Sequence, residues 1–303
     1  MKYLVYPGCC CTQKTTSKAY RESLLAVWRH LNIEIEELED WNCCGATAYM
    51  AIDEYKAFGL AARNLAIAES QLAVGDKDVN ALITPCSACY MVLNKTQHYI
   101  NEYPEVHTTV MGALDEAGLS YTGSTGVRHP LDVFLNEYDL GRLKSQTRRS
   151  LAPLKVASYY GCLLVRPYAT FDDPVNPTSM DRLFSALGAE TIDWPLKTRC
   201  CGGSLMGTLD EVGMRLNYIL LKEAKERGAD VIATACPFCQ FNLECFQKKI
   251  NKAYGEDITI PVVFFSQLIG LALGIPESKL GFKRLFVPFS MSTYTKGGVH
   301  VQG

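Results

Sequence analysis

The sequence predicts an α/β protein built as two similar domains with mostly parallel sheets flanked by helices, related by internal duplication. Three observations carry that prediction. Short apolar runs alternate with longer segments of helical period, the pattern of successive βαβ units. One cysteine pattern occurs twice: Cys9, Cys43-Cys44-Gly45 and Cys86-Ser87-Ala88-Cys89, then Cys162, Cys200-Cys201-Gly202 and Cys236-Pro237-Phe238-Cys239. Each lone cysteine also ends an apolar run through a glycine, Tyr6-Pro7-Gly8-Cys9 matching Tyr159-Tyr160-Gly161-Cys162. At 303 residues and 48% hydrophobic, the chain holds material for two cores of ordinary size.

In the first half, Lys2 to Tyr6 reads as a strand, followed by a helix with Leu24, Val27, Trp28 and Leu31 at helical spacing. Ile33 to Leu38 alternates as a strand before Cys43. A long helix starts near Asp53, its expected N-cap, and buries Phe58, Ala62, Leu65 and Leu72. Asn80 to Pro85 is a buried strand delivering Cys86, and helix resumes from Tyr90. The second half repeats this order. Lys155 to Tyr160 is a strand, Pro177 to Leu187 a helix, Thr191 to Asp193 a strand, and Asp210 to Arg227 a helix with Val212, Leu216, Ile219 and Leu220 on its apolar face. Asp230 to Ala235 is a strand, Phe238 to Tyr254 a helix and Val262 to Phe265 a last strand. Residues 103 to 127 and 139 to 154 are richer in Gly, Ser, Thr and charge, so the expected domains are 1–147 and 148–289, with a weakly ordered tail from 290 to 303. Every motif cysteine then falls at the carboxyl end of a strand, where open α/β sheets bind ligands.

Charge narrows the function classes. A net charge of -2 and a pI near 6.2 supply no footprint for nucleic acid or an anionic surface, and Arg148-Arg149 and Lys248-Lys249 read as solvated helix ends. The N-terminus shows no signal peptide, and the longest apolar stretch, Val262 to Ile275, is too short for a membrane span. A cytoplasmic protein with no transmembrane segment is expected, and in that reducing compartment dense cysteine means metal or redox chemistry more often than disulfides. No Gly-x-Gly-x-x-Gly or phosphate-loop signature is present, so electrons have to pass to or from a partner.

Ten of the thirteen cysteines fall into the repeat, at gaps of 33 then 41 residues in the first copy and 37 then 34 in the second. Neighbouring side chains such as Cys43 and Cys44 diverge too far to grip one ion comfortably, and suit ligation of different atoms of one inorganic cluster. Cys-x-x-Cys at a strand-to-helix turn puts two sulfurs on one concave face, and the glycine after each pair lets backbone N–H groups approach. Five thiolates per half exceed the four that a cubane or a tetrahedral zinc needs. One cluster plus zinc is the alternative loading.

The double Cys…Cys-Cys-Gly…Cys-x-x-Cys arrangement resembles the cysteine-rich CCG domains of the heterodisulfide reductase B-subunit family, over essentially the whole chain. The resemblance implies two non-cubane [4Fe-4S] clusters, one held by Cys9, Cys43, Cys44, Cys86 and Cys89, the other by Cys162, Cys200, Cys201, Cys236 and Cys239. It also implies a catalytic component that cleaves or forms a disulfide, or oxidises a carrier-bound thiol or persulfide, between those clusters. Expected partners are a ferredoxin-like iron-sulfur subunit, a flavoprotein subunit and a lipoate-binding carrier. The segment from Arg166 to Pro174 is similar to the flap of bacterial-type members, which tilts the expectation toward the sulfur-oxidation type. The alternative is a non-catalytic electron-transfer or anchoring subunit of a succinate dehydrogenase or fumarate reductase-like complex, and a zinc or cubane scaffold is a third reading.

Among the ten ligands Cys9 and Cys162 are also the expected catalytic thiols, and beyond them Arg166 and Lys197 are the expected cations offsetting cluster charge, with Arg199 a further candidate. Cys10 and Cys11 have no second-copy counterparts, since Leu163 and Leu164 follow Cys162. They read either as a redox or persulfide-accepting pair or as spare thiols. Cys245 reads as a core residue. None of the five histidines sits beside a cysteine motif, and His129 is the one expected to merit testing as a proton donor.

Overall fold

In a computed structural model, which describes residues 1–11, 17–46, 48–74, 81–152, 154–168 and 171–295, each half is a four-stranded, wholly parallel sheet. In the first half β1 (Lys2–Val5) leads to α1 (Lys18–His30), β2 (Glu34–Glu37), the short α2 (Ala48–Ile52), α3 (Glu54–Val74), β3 (Ala81–Ile83), α4 (Ser87–Glu102), α5 (Pro104–Glu116) and β4 (Gly126–Arg128). The connecting stretch holds α6 (Pro130–Asp132), continued by a π-turn, and α7 (Leu140–Ser145). The second half contains β5 (Lys155–Tyr159), α8 (Ser179–Ala186), β6 (Glu190–Thr191), α9 (Asp210–Glu226), β7 (Val231–Thr234), α10 (Pro237–Cys245), α11 (Gln247–Tyr254), β8 (Val262–Phe264), α12 (Phe265–Ala272) and α13 (Met291–Thr295).

The sheets are copies of one another. Their strand orders are β2-β1-β3-β4 and β6-β5-β7-β8, with Val5 level with Ile83 and Tyr159 level with Thr234. The central strands β3 and β7 are buried throughout, as parallel sheets covered by helices require. One continuous apolar core runs through both halves, from Trp28, Leu82 and Phe134 to Val156, Phe184 and Phe265. Across the join, Tyr20 stacks on Phe264 at 4.4 Å, Ser23 and Ser266 share a 2.7 Å hydrogen bond, and Arg284 pairs with Glu22.

Three expectations change, and the polar stretch 103–127 gains elements: Pro104 opens α5, whose Val106, Val110 and Leu114 recur every turn and pack with α3, and β4 follows. The helix expected over Phe238 to Tyr254 breaks at Phe246 into α10 and α11. The apolar face of α9 is rotated: Val212 and Ile219 are exposed, while Gly213, Asn217, Leu220, Leu221 and Ala224 are buried. The cause is the neighbouring cysteine loop, since a Cβ on Gly202 would lie 3.1 Å from Gly213 Cα and Asn217 donates to Cys201 O. The tail also starts later than position 290, because Met291 is fully buried and α13 extends to Thr295; the rest of the expected tail lies outside the described residues. Among the described residues, no helix is long and apolar enough to cross a membrane.

Candidate functional site

Both halves present their cysteines in the same way. Cys86 and Cys236 are the N-cap residues of α4 and α10, so each Cys-x-x-Cys pair spans the first turn of a helix that leaves a central strand. Cys9 follows β1 and Cys162 follows β5, each after a glycine in the left-handed region (Gly8 φ 62°, Gly161 φ 66°). A Cβ at those glycines would lie 3.2 Å from Cys89 Sγ and 2.9 Å from Cys239 Sγ, so only glycine lets the chain pass this close to the thiols. Gly45 and Gly202 also have positive φ, and their N–H groups donate to Cys43 Sγ at 3.5 Å and Cys200 Sγ at 3.3 Å.

Buried polar groups hold each Cys-Cys loop in place. Tyr6 and Tyr159 donate from their hydroxyls to the carbonyls just ahead of the pairs, Asn42 O at 2.8 Å and Arg199 O at 2.6 Å. Asn64 on α3 and Asn217 on α9 donate to Asn42 O and Cys201 O. These four supports escape a reading based on cysteine alone, although the tyrosines stand three residues ahead of Cys9 and Cys162 as a matched pair.

Sulfur clusters accordingly. Cys44 and Cys89 approach to 3.1 Å and Cys201 and Cys239 to 3.5 Å, while Cys9, Cys43 and Cys200 stand exposed at the rims. The thiols share protons: Cys44 holds Cys43 down to about 2, and Cys162 holds Cys200 down to about 6. Burial and the thiols push Tyr6 and Tyr159 up, which keeps both as neutral donors. Across the join, the Cys86 and Cys236 thiols lie near enough to shift one another's ionisation, and Ser87 Oγ donates to Ala235 O at 3.2 Å. The two nests therefore meet. A cavity of about 260 Å³ lies against the second one, lined by Cys162, Cys200, Cys201 and Cys236 and bordered from the first half by Ser87 and Ala88.

The other candidates separate. Arg166 is exposed, donates to Thr198 O and lies close enough to Cys200 to favour its thiolate. Lys197 does not serve the thiols as expected. Its side chain is buried and its ammonium bonds Pro177 O and Asp181, both at 3.3 Å, so its charge is neutralised; only its carbonyl touches the site's frame, accepting from Tyr160 N and Gly161 N. Arg199 contributes its carbonyl rather than its charge. His129 is fully buried, its Nδ1 accepting from Leu131 N and its Nε2 facing Pro85 O at 2.9 Å, and burial holds it down at about 4. It ties β4 to the loop before Cys86 instead of donating protons to a ligand. Cys10 interacts with Cys9 and Cys86, Cys245 is half-buried, and the side chain of Cys11 lies outside the described residues.

The donor set suits a multi-atom iron-sulfur group. It is all sulfur, spread over a concave surface with backbone N–H groups aimed at it, and none of the twelve cysteines with described side chains is in a disulfide. Among the described residues no group of three or more His, Cys, Asp or Glu side chains is placed to hold a single metal ion.

Comparison with known proteins agrees with this geometry. The family model of the cysteine-rich CCG domain matches twice, over residues 3–94 and 156–244. The 8-methylmenaquinol:fumarate reductase membrane anchor subunit of Wolinella succinogenes is 30% identical, over 92% of this chain and 95% of the relative. The B subunit of the ferredoxin:CoB-CoM heterodisulfide reductase of Methanosarcina mazei is 32% identical over 84% of each chain, and a heterodisulfide reductase B-subunit-like protein of Archaeoglobus profundus is 31% identical over 85% of this chain and 86% of its own. A hypothetical protein from Helicobacter pylori shares the fold with a TM-score of 0.76 at 15% identity, over 95% of this chain and 52% of that one, so this chain spans about half of it. The chain belongs to the cysteine-rich CCG domain family in duplicated form, and is a homologue of the heterodisulfide reductase B subunits.

Proposed function

We propose that this chain is the catalytic iron-sulfur subunit of a heterodisulfide-reductase-like complex, cleaving or forming a disulfide, or oxidising a carrier-bound thiol, in the cleft between its halves. Cys9, Cys43, Cys44, Cys86 and Cys89 would hold one non-cubane [4Fe-4S] cluster and Cys162, Cys200, Cys201, Cys236 and Cys239 the other. When bound, each supplies one electron, matching the two that a disulfide takes up. The observation that carries this reading is the closeness of Cys86 to Cys236, which brings two matched sulfur nests together beside a cavity that lies against the second.

The chain's own groups prepare that cavity. Tyr160, Leu163 and Phe238 line it and restrict water, and Arg166 offers a positive rim for an anionic thiolate. The phenols of Tyr6 and Tyr159 and the ring of His129 keep the loops and strand ends at fixed spacing. A ferredoxin-like iron-sulfur subunit and a flavoprotein subunit would exchange electrons with it in the cytoplasm, and a lipoate-type carrier is a proposed substrate. The Wolinella relative favours a second reading, an electron-relay or anchoring subunit of a fumarate reductase-like complex.

Anaerobic iron, sulfide and zinc quantification followed by EPR of the oxidised chain separates these. About eight irons per chain with a thiol-dependent paramagnetic signal support catalysis at sulfur. Full iron with a spectrum indifferent to thiols and disulfides supports the relay, and about four irons with zinc overturns the two-cluster assignment.

A further inference from the structure

We propose that the two nests are unequal electron acceptors, the second-half nest holding an added electron more tightly because Asn242 and Arg166 face it. This inference rests on the iron-sulfur reading above.

The backbone donors are matched between halves, Gly45 N to Cys43 Sγ and Gly202 N to Cys200 Sγ. Among the described residues the side-chain donors are not. Three residues after Cys239 stands Asn242, 2% exposed, whose Nδ2 lies 3.6 Å from Cys201 Sγ, 3.2 Å from Cys201 O and 2.8 Å from Gly203 O. Three residues after Cys89 stands Val92, fully buried and without an N–H on its side chain. Four residues after Cys162 is Arg166, close enough to Cys200 to favour its thiolate.

A hydrogen bond or positive charge at a cluster thiolate stabilises the more negative, reduced state and raises the potential. The first half has a polar neighbour of its own, the Cys10 thiol near Cys9 and Cys86, but S–H is a weak donor and carries no charge. Among the described residues the balance therefore favours the second half. Since Cys86 lies near Cys236, an electron entering at either nest settles on the second, which is also the one against the cavity. The first half relays and the second half collects beside the substrate.

An anaerobic potentiometric titration of the iron-loaded chain, followed by EPR, tests the order. Two one-electron steps are expected, with Cys44→Ala protein, stripped of the first-half iron, retaining the higher one. Asn242→Val should lower that step by about tenfold in the reduced-to-oxidised ratio, ~59 mV for one electron, with iron content unchanged. Arg166→Gln, on the exposed rim, should lower it in a salt-dependent way, and Val92→Asn should raise the lower step. The proposal is overturned if both Asn242→Val and Arg166→Gln leave the higher step in place with iron retained, or if Cys44→Ala keeps the lower step. A chain that takes up no iron overturns the iron-sulfur reading, and this ordering with it.

Discussion

The first half and the second half hold sulfur with the same parts and surround it with different ones. Gly8 and Gly161, Gly45 and Gly202, and Tyr6 and Tyr159 perform the same tasks in each copy, and Asn64 and Asn217 each brace a Cys-Cys loop, at Asn42 O and Cys201 O. Around that frame, Cys10 in one half corresponds to Leu163 in the other, Val92 to Asn242, and Asn94 to Glu244. Duplication kept whatever fixes the position of a thiol and let the polarity behind it drift. The frame is set by sterics and backbone hydrogen bonds, which tolerate little change, whereas polarity behind a ligand changes potential without moving it.

The largest expected difference comes from losing one nest. Cys201→Ala should remove about half of the iron and sulfide while the first half stays loaded, as read by quantification and EPR. Loss of both together would show that the Cys86 to Cys236 contact makes the nests one unit.

Next is the pair Asn94 and Glu244. Asn94 simply donates to Tyr90 O at 2.8 Å, but Glu244 is a buried carboxyl, pushed up to about 7 by burial, accepting from Gln240 at 2.5 Å and from Val287 N at 3.3 Å. The folded state keeps a proton that the unfolded chain releases above its ordinary value of 4.5. Its contribution to stability is therefore full below that value and declines as pH rises to about 7, by on the order of 3 kcal/mol. Urea unfolding should show Glu244→Gln more stable than wild type near pH 8, with the advantage disappearing near pH 5. Asn94→Asp tests whether the first half acquires the same pH dependence when given the same kind of group.

The smallest difference concerns the shared frame. Alanine at Gly8 or Gly161 has to adopt positive φ, at about 1–2 kcal/mol each. Gly161→Ala should be the worse, because its Cβ meets Cys239 Sγ at 2.9 Å against 3.2 Å for Gly8→Ala and Cys89. Denaturant midpoints and iron retention measure both, and equal effects would mean that the thiols move aside equally easily.

Much of this architecture is legible in the residues. β1, α1, α3, α4 and the β5 to β7 succession follow from periodicity, and Asp53, expected to open α3, accepts from Lys56 N at 3.2 Å. Hydrophobicity misassigns the α9 face because it marks Val212 and Ile219, whereas the cysteine loop needs Gly213 and Asn217 inward. Lys197 misleads for a related reason: a cation close to a thiol pair in sequence points to Asp181 in space.

The duplication, the parallel α/β halves and the sulfur at the strand ends are all written in the chain itself, because spacing, period and glycine act over a few residues. That Cys86 meets Cys236, that Lys197 is neutralised and that Asn242 reaches Cys201 Sγ emerges only once the elements pack. Those contacts join elements far apart in the chain, and packing of the whole core, rather than any local preference, selects them.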